Sequence, residues 1–336
     1  MNIRAVLTSR KLSVSGYIIL GGFTAVVFGG GFVVAVSHHP AAAAIMGLWC
    51  VGLVIEAVSE WRAACCSDSE EQRFRFPTDS LSFLSVAGGT VVTFWISTDL
   101  ALGPVVASGL VGIFAAAFLK PYAAPIFAGS FVGMASSGLF DYPTIIIAGM
   151  LAGGVFVVGK HVFNGFGGKL GTTAWAGCVG ALLLVNRPML SAPVPGWDVG
   201  LPLLVACVAG AMVTFILSIW FGQGPVMASG MVGLAAGLLL PPLFGAELGT
   251  FLAVGAFCAS FAGMSGTNRF EKVIWMVPAG VLCGLALLYS TPFMGGGGGK
   301  LGTIAFGAVI GLRGLMRVGG LKRPDVITRR RRPALD

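Results

Sequence analysis

From Tyr17 to Arg317 the chain is a succession of apolar runs, each close to the roughly 20 residues that a helix needs to cross a bilayer core, joined by short turns. The runs fall near 17–36, 41–58, 80–98, 100–119, 122–140, 143–160, 171–186, 201–221, 226–244, 248–266, 272–290 and 302–317. Only 10% of the residues are charged, against about 25% in a soluble domain, so a water-facing surface cannot be covered. The expected fold is an all-α polytopic membrane protein with about 10–12 transmembrane helices. Gly and Pro interrupt several runs, so ten or eleven full spans with re-entrant pieces fit the pattern equally.

The net charge of +8 sits at the ends. Arg4, Arg10 and Lys11 carry one part, and the stretch from Arg313 to Asp336 carries the other, while residues 12–312 hold ten bases and eleven acids. Lys and Arg that flank spans are retained on the cytoplasmic side. Both termini are therefore expected in the cytoplasm, in a cell membrane of the bacterial inner-membrane type. The run Arg329, Arg330, Arg331, Arg332 matches anionic lipid headgroups or serves simply as the retained topology signal. With the ends removed no basic surface remains, and nucleic-acid binding is not expected.

Other chemistry is thinly represented. Cys50, Cys178, Cys207, Cys258 and Cys283 lie in apolar runs, where Cys acts as a small hydrophobe, and the adjacent Cys65 and Cys66 are poorly placed to bridge. No metal-ligand spacing occurs, and no cofactor is expected. Ionisable residues between 81 and 312 fall at run ends, so the mid-membrane carboxylate of coupled carriers is missing from the pattern. Nothing resembles a nucleophile with its base, and catalysis is not expected.

The strongest internal signal is a repeat. Residues 103–121, GPVVASGLVGIFAAAFLKP, align without gaps to 224–242, GPVMASGMVGLAAGLLLPP. Gly129 to Ser137, GSFVGMASS, aligns with Ala259 to Thr267, ASFAGMSGT, and GGKLGT at 167–172 recurs letter for letter at 298–303. Three blocks in one order divide the chain into an N-terminal helical hairpin and cytoplasmic loop (1–79), a first repeat (80–187), a linker (188–200), a second repeat (201–317) and a basic tail (318–336). Five hydrophobic segments per repeat would place the second in the membrane upside down relative to the first; four or six would make them parallel.

The glycine blocks are the leading site candidates. Glycine at this density does not hold a lipid-facing helix, and unpaired backbone is tolerated at membrane depth only inside protein or beside a wet cavity. Gly167, Gly168, Gly298 and Gly299 let backbone approach a ligand, Lys169 and Lys300 add positive charge, and Thr172 and Thr303 sit in the first turns that follow. A helix N-terminus there attracts anions. The alternative is a pair of interfacial turns whose lysines reach headgroups. Ser130, Ser260, Ser136 and Thr267 supply hydroxyls for a narrow path with Met134 and Met264 as soft gates, or else serve helix packing.

These patterns point to a channel or facilitative transporter for a small anion or small neutral solute, running between pseudo-symmetric repeats. The alternative is a non-transporting membrane scaffold or a lipid-binding subunit of a larger complex. Membrane lipid is the expected partner in both cases, and the crowded small residues leave room for a homo-oligomer.

Overall fold

The computed structural model describes residues 3–66 and 74–320 and is all-helical, with one isolated bridge between Leu190 and Gly295. Arg329 to Arg332 lie outside the described residues. The helices are α1 (Ile3–His38), α2 (Pro40–Cys66), α3 (Phe76–Thr98), α4 (Pro104–Phe118), α5 (Ala123–Gly133), α6 (Tyr142–Gly159), α7 (Lys169–Leu184), α8 (Trp197–Phe215), α9 (Pro225–Phe244), α10 (Ala246–Gly263), α11 (Met276–Tyr289) and α12 (Lys300–Val318). Eight of them, α1, α2, α3, α6, α8, α9, α10 and α12, are long and apolar enough to cross a membrane, which makes this a helical membrane protein.

That number is smaller than the ten to twelve crossings the apolar runs suggest. The reason is punctuation inside the runs. Pro104 and Pro121 bound α4, and α5, eleven residues long, stops at Gly133. Helix α7 cannot start before Gly168, whose left-handed backbone (φ 81°) precedes it. The hairpin differs in the opposite direction, because α2 continues past residue 58 to Cys66 and carries Glu56 and Glu60 with it. These carboxylates are buried and ion-paired.

Glycine sets how closely the helices approach. Gly129 of α5 packs on the Val86 carbonyl of α3, and Gly263 of α10 packs on the Ala211 carbonyl of α8, each without room for a β-carbon. Small residues let backbones meet where lipid offers no hydrophobic drive to association. Residues that share sequence between 80–187 and 201–317 also share geometry. Gly103 and Gly224, the caps of α4 and α9, have φ of 77° and 79°, and Phe163 and Met294 both take positive φ, at 54° and 53°.

The hairpin is fastened along α12. Gly52 of α2 meets Gly311 and Gly314 backbone to backbone, and Trp49 Nε1 donates to the Ala308 carbonyl at 2.9 Å. With α2 on one side and α7 and α10 on others, α12 becomes the most enclosed of the long helices.

Candidate functional site

The site is assembled from two glycine segments, each leading into a helix. Gly168 and Gly299 cap α7 and α12 in the left-handed region, at φ 81° and 90°. An L side chain is strained there, and a β-carbon on either would strike the other helix: Gly168 faces the Gly302 carbonyl and Phe306, and Gly299 faces the Gly171 carbonyl and Trp175. The first turns of α7 and α12 thus slide past each other, touching where Gly171 meets Gly302. Both helix N-termini, with their unpaired N–H groups, lie inside the protein.

Each segment also rests on the end of a helix from the other half. Ser136 N–H donates to the Gly296 carbonyl and Gly266 N–H to the Gly165 carbonyl, both at 2.9 Å. The backbone of Gly298 lies against Phe131 and Val132, and that of Gly167 against Phe261 and Ala262.

The lysines are held by carbonyls. Lys169 Nζ donates to the Lys160 carbonyl at 3.1 Å and to Asn164 Oδ1 at 3.2 Å. Lys300 Nζ donates to the Ser290 and Phe293 carbonyls and lies 4.9 Å from the centre of the Phe293 ring. Lys160 and Ser290 follow the last turns of α6 and α11, so each ammonium sits where helix carbonyls lack partners and where a cation is favoured.

A cavity of about 620 Å³ opens beside the second segment. Gly296, Gly297, Gly298, Gly299 and Lys300 form one wall, and Ser97, Thr98, Pro104, Met134, Ala135, Ser136 and Ser137 form much of the rest. No carboxylate lines it. It ends at Phe131 and Phe261, which belong to a buried quartet with Phe127 and Phe257; the Phe131 and Phe261 rings are 4.5 Å apart, centre to centre.

Of the remaining sequence candidates, Lys300, Gly298, Gly299, Met134 and Ser136 line this cavity. Lys169, Gly167 and Gly168 belong to the other segment, and Met264 follows α10 as Met134 follows α5. Ser130 and Ser260 do not line the cavity. Each is fully buried and pairs with a serine of the adjacent helix, Ser108 and Ser229 respectively, both at 2.8 Å. Thr172 and Thr303 are buried against the helix crossing, and Thr267 is exposed at a turn.

Sequence reasoning missed two features. Phe131 and Phe261 stood inside a repeated block, and their meeting was masked because phenylalanine in an apolar run reads as ordinary core. Trp175, which lies under the second glycine segment, has no sequence signal at all.

A second polar cluster fixes the opposite end. Arg269 grips Glu60 through two bonds of 2.8 and 3.1 Å, lies 3.6 Å from Glu56, donates from Nε to the Asn164 carbonyl and stacks on Phe166 at 4.0 Å. Arg317 completes it with a 2.9 Å contact to Glu56. The first glycine segment, the hairpin and α12 are thereby tied together. Comparison of the chain with protein-family models, with curated proteins and with solved structures gives no match to any of them.

Proposed function

We propose that the protein is a channel or facilitative transporter that moves a small anion or small neutral solute between two inverted repeats, 80–187 and 201–317, with both termini cytoplasmic in an inner-membrane-type bilayer. The observation that carries this reading is the cavity at the start of α12: irregular glycine backbone, a helix N-terminus and one lysine around an open cleft. Broken helices whose N-termini meet within the protein are a recurring way to bind solutes at membrane depth. On this reading each half enters as five segments, α3–α7 and α8–α12, with the shorter α4, α5, α7 and α11 completing the passage begun by the eight longer helices, and the second half runs opposite to the first. The ion pairs fit that sidedness: Asp79 with Lys160 and Glu60 with Arg269 at one end, Asp141 with Arg187 at the other.

The phenylalanine quartet closes the way between the cavity and the first glycine segment, so transport requires the halves to move around it. Flux of nitrate, formate, sulfate, urea and glycerol into proteoliposomes tests the reading. At least one probe is expected to enter faster than in empty vesicles, and Lys300→Ala should slow it about ten-fold or more, since a hydrogen bond to a charged group is at stake. Unchanged flux in Lys169→Ala with Lys300→Ala would take both lysines out of the mechanism.

The scaffold or lipid-binding reading draws on a different observation. An almost wholly apolar groove of about 590 Å³ runs along α3 and α4, between Val92, Ile96, Leu110, Phe114 and Ile126. Absence of flux for every probe, with the protein folded in the vesicles, would favour it.

A further inference from the structure

Helices α3 and α6 meet at two levels. Lys160 Nζ reaches both Asp79 oxygens, at 2.8 and 2.6 Å, and deeper along α6 Gly153 packs on Phe83, whose ring its β-carbon would strike. Along this stretch an almost wholly apolar groove of about 450 Å³ opens between the helices, walled by Leu84, Gly154, Val157 and Val158, with Leu12 of α1 and Phe74 also on its wall. A β-carbon on Gly154 would meet nothing within 4 Å. From Lys160 back to Gly154 the helix rises about 9 Å, so the groove leads from the helix ends toward the bilayer core.

The other half keeps the helix contact and fills the space. Gly284 packs on Leu204 as Gly153 packs on Phe83. The next residue is then Leu285 in place of Gly154, and Tyr289 stands for Val158; both are buried, at 2% and 1% exposure. Arg75, which precedes α3, is matched by Gly196 before α8, and Lys160 by Thr291. Open groove and cations thus coincide in the first half, while the second has leucine and tyrosine in the space and no cation at either place.

Two cations beside the groove are free to take a ligand. Lys11 precedes Leu12, and Arg75 follows Phe74. Both are exposed, and neither side chain has a partner among the described residues. The carboxylate on the groove wall, Asp79, is already held by Lys160 and by the Arg75 N–H at 2.8 Å. Phe74 and Phe76, both exposed beside Arg75, turn apolar surface outward at the same level. An apolar slot that ends in two unpaired cations matches a molecule with an anionic head and a hydrocarbon chain, and basic pockets between helices at a membrane surface take lipid headgroups. A helical partner, about 10 Å across with its side chains, is too wide for a slot of this volume.

We propose that this groove binds an anionic glycerophospholipid, with one acyl chain between α3 and α6 against Gly154 and the phosphate between Lys11 and Arg75. The site rests on the helical membrane fold and is independent of whether the cavity at Gly296–Lys300 carries solute. Because its wall includes α1, the bound lipid fastens the hairpin to the first half.

Thermal unfolding of the purified full-length protein in detergent tests it, with phosphatidylglycerol, phosphatidylcholine and the chain-free glycerol 3-phosphate added in turn. Phosphatidylglycerol is expected to raise the unfolding temperature in a saturable way, and phosphatidylcholine to do so far more weakly. Lys11→Gln with Arg75→Gln, at two exposed positions, should need about thirty-fold more phosphatidylglycerol, through loss of two cation–headgroup contacts. Gly154→Leu installs the residue of the other half in open space and should weaken the response with both charges in place. Equal stabilisation by glycerol 3-phosphate would make this an anion site without a chain and overturn the proposal. A response that the double variant and Gly154→Leu both keep in full would place the lipid elsewhere, and no response to phosphatidylglycerol would leave the groove to another occupant; either result overturns it.

Discussion

Asn164–Lys169 and Gly295–Lys300 trace nearly the same path, with left-handed glycines at 165 and 296 and again at 168 and 299. One is packed solid and the other borders a cavity. In the first, Phe166, Ser265 and Arg269 occupy the space beside the backbone; in the second, the matching positions are Gly297, Ala135 and Leu139. The path is set by the few glycines in left-handed conformations, whereas the space beside it is set by residues that differ between the two copies. A cavity thus lies beside a repeated backbone where the side chains of the other copy are absent.

The largest way to break the comparison is to remove what locks the filled copy. Arg269→Leu writes in the residue found at the equivalent position, Leu139. It leaves Glu60, which is 6% exposed, with a buried charge and no guanidinium, and it strips the cover from Phe166. Removing one partner of a buried ion pair costs about 3–5 kcal/mol. The unfolding temperature in detergent should drop more than for any other change considered, and Glu60→Gln in the same chain should recover part of the drop by removing a buried carboxylate that has lost this guanidinium. An unchanged temperature would mean that the hairpin is not fastened through this cluster.

A smaller change sharpens it. Ser265→Ala removes the acceptor for Gly167 N–H and turns the position into its counterpart, Ala135. A buried donor left unpaired costs about 1–3 kcal/mol. Hydrogen exchange at the Gly167 amide should accelerate, while exchange at Gly298 stays as it was. Equal exchange before and after would show that the hydroxyl does not hold the segment.

How much of this was legible in the sequence depends on which force did the work. Apolar runs gave the helices, because burial of a whole run leaves a long signal. They did not show which helices are long enough to cross alone, because Pro121 and Gly133 end helices within runs that stay apolar. The glycine blocks marked a backbone constraint, since the letter-for-letter recurrence at 167–172 and 298–303 falls where Gly168 and Gly299 take left-handed conformations. The pairing of Ser130 with Ser108 was not legible: a hydroxyl facing a pore and one facing a neighbouring helix have the same local sequence. Trp175 was invisible for a related reason: its indole Nε1–H is buried without an acceptor, and an unsatisfied donor is defined by what surrounds it in space. The ion pairs of Glu56 and Glu60 were not legible, because their partners, Arg317 and Arg269, lie more than two hundred residues away.

The smallest expected effect concerns the helix starts. Asp141 caps α6, accepting from the Thr144 hydroxyl and, at 3.0 Å, from the Thr144 amide, and it pairs with Arg187 at 3.0 Å. Glu271, at the matching place in the second half, caps no helix, and α11 begins only at Met276 after a short 3-10 turn. The Thr144 bonds, with Arg187 adding less, draw the exposed Asp141 carboxyl from its ordinary 3.8 down to about 2. A depressed carboxylate favours the fold above its unfolded value and loses that contribution as pH falls through the folded one, so the window runs from about pH 4 to pH 2. Asp141→Asn keeps a cap oxygen and should behave as the wild type at neutral pH except for the lost Arg187 pair, which is exposed and worth little. Across the acid window the wild type should lose stability that Asn, having no proton to take up, does not. An acid profile that Asp141→Asn leaves unmoved would mean that the carboxyl does not hold the start of α6 by its charge.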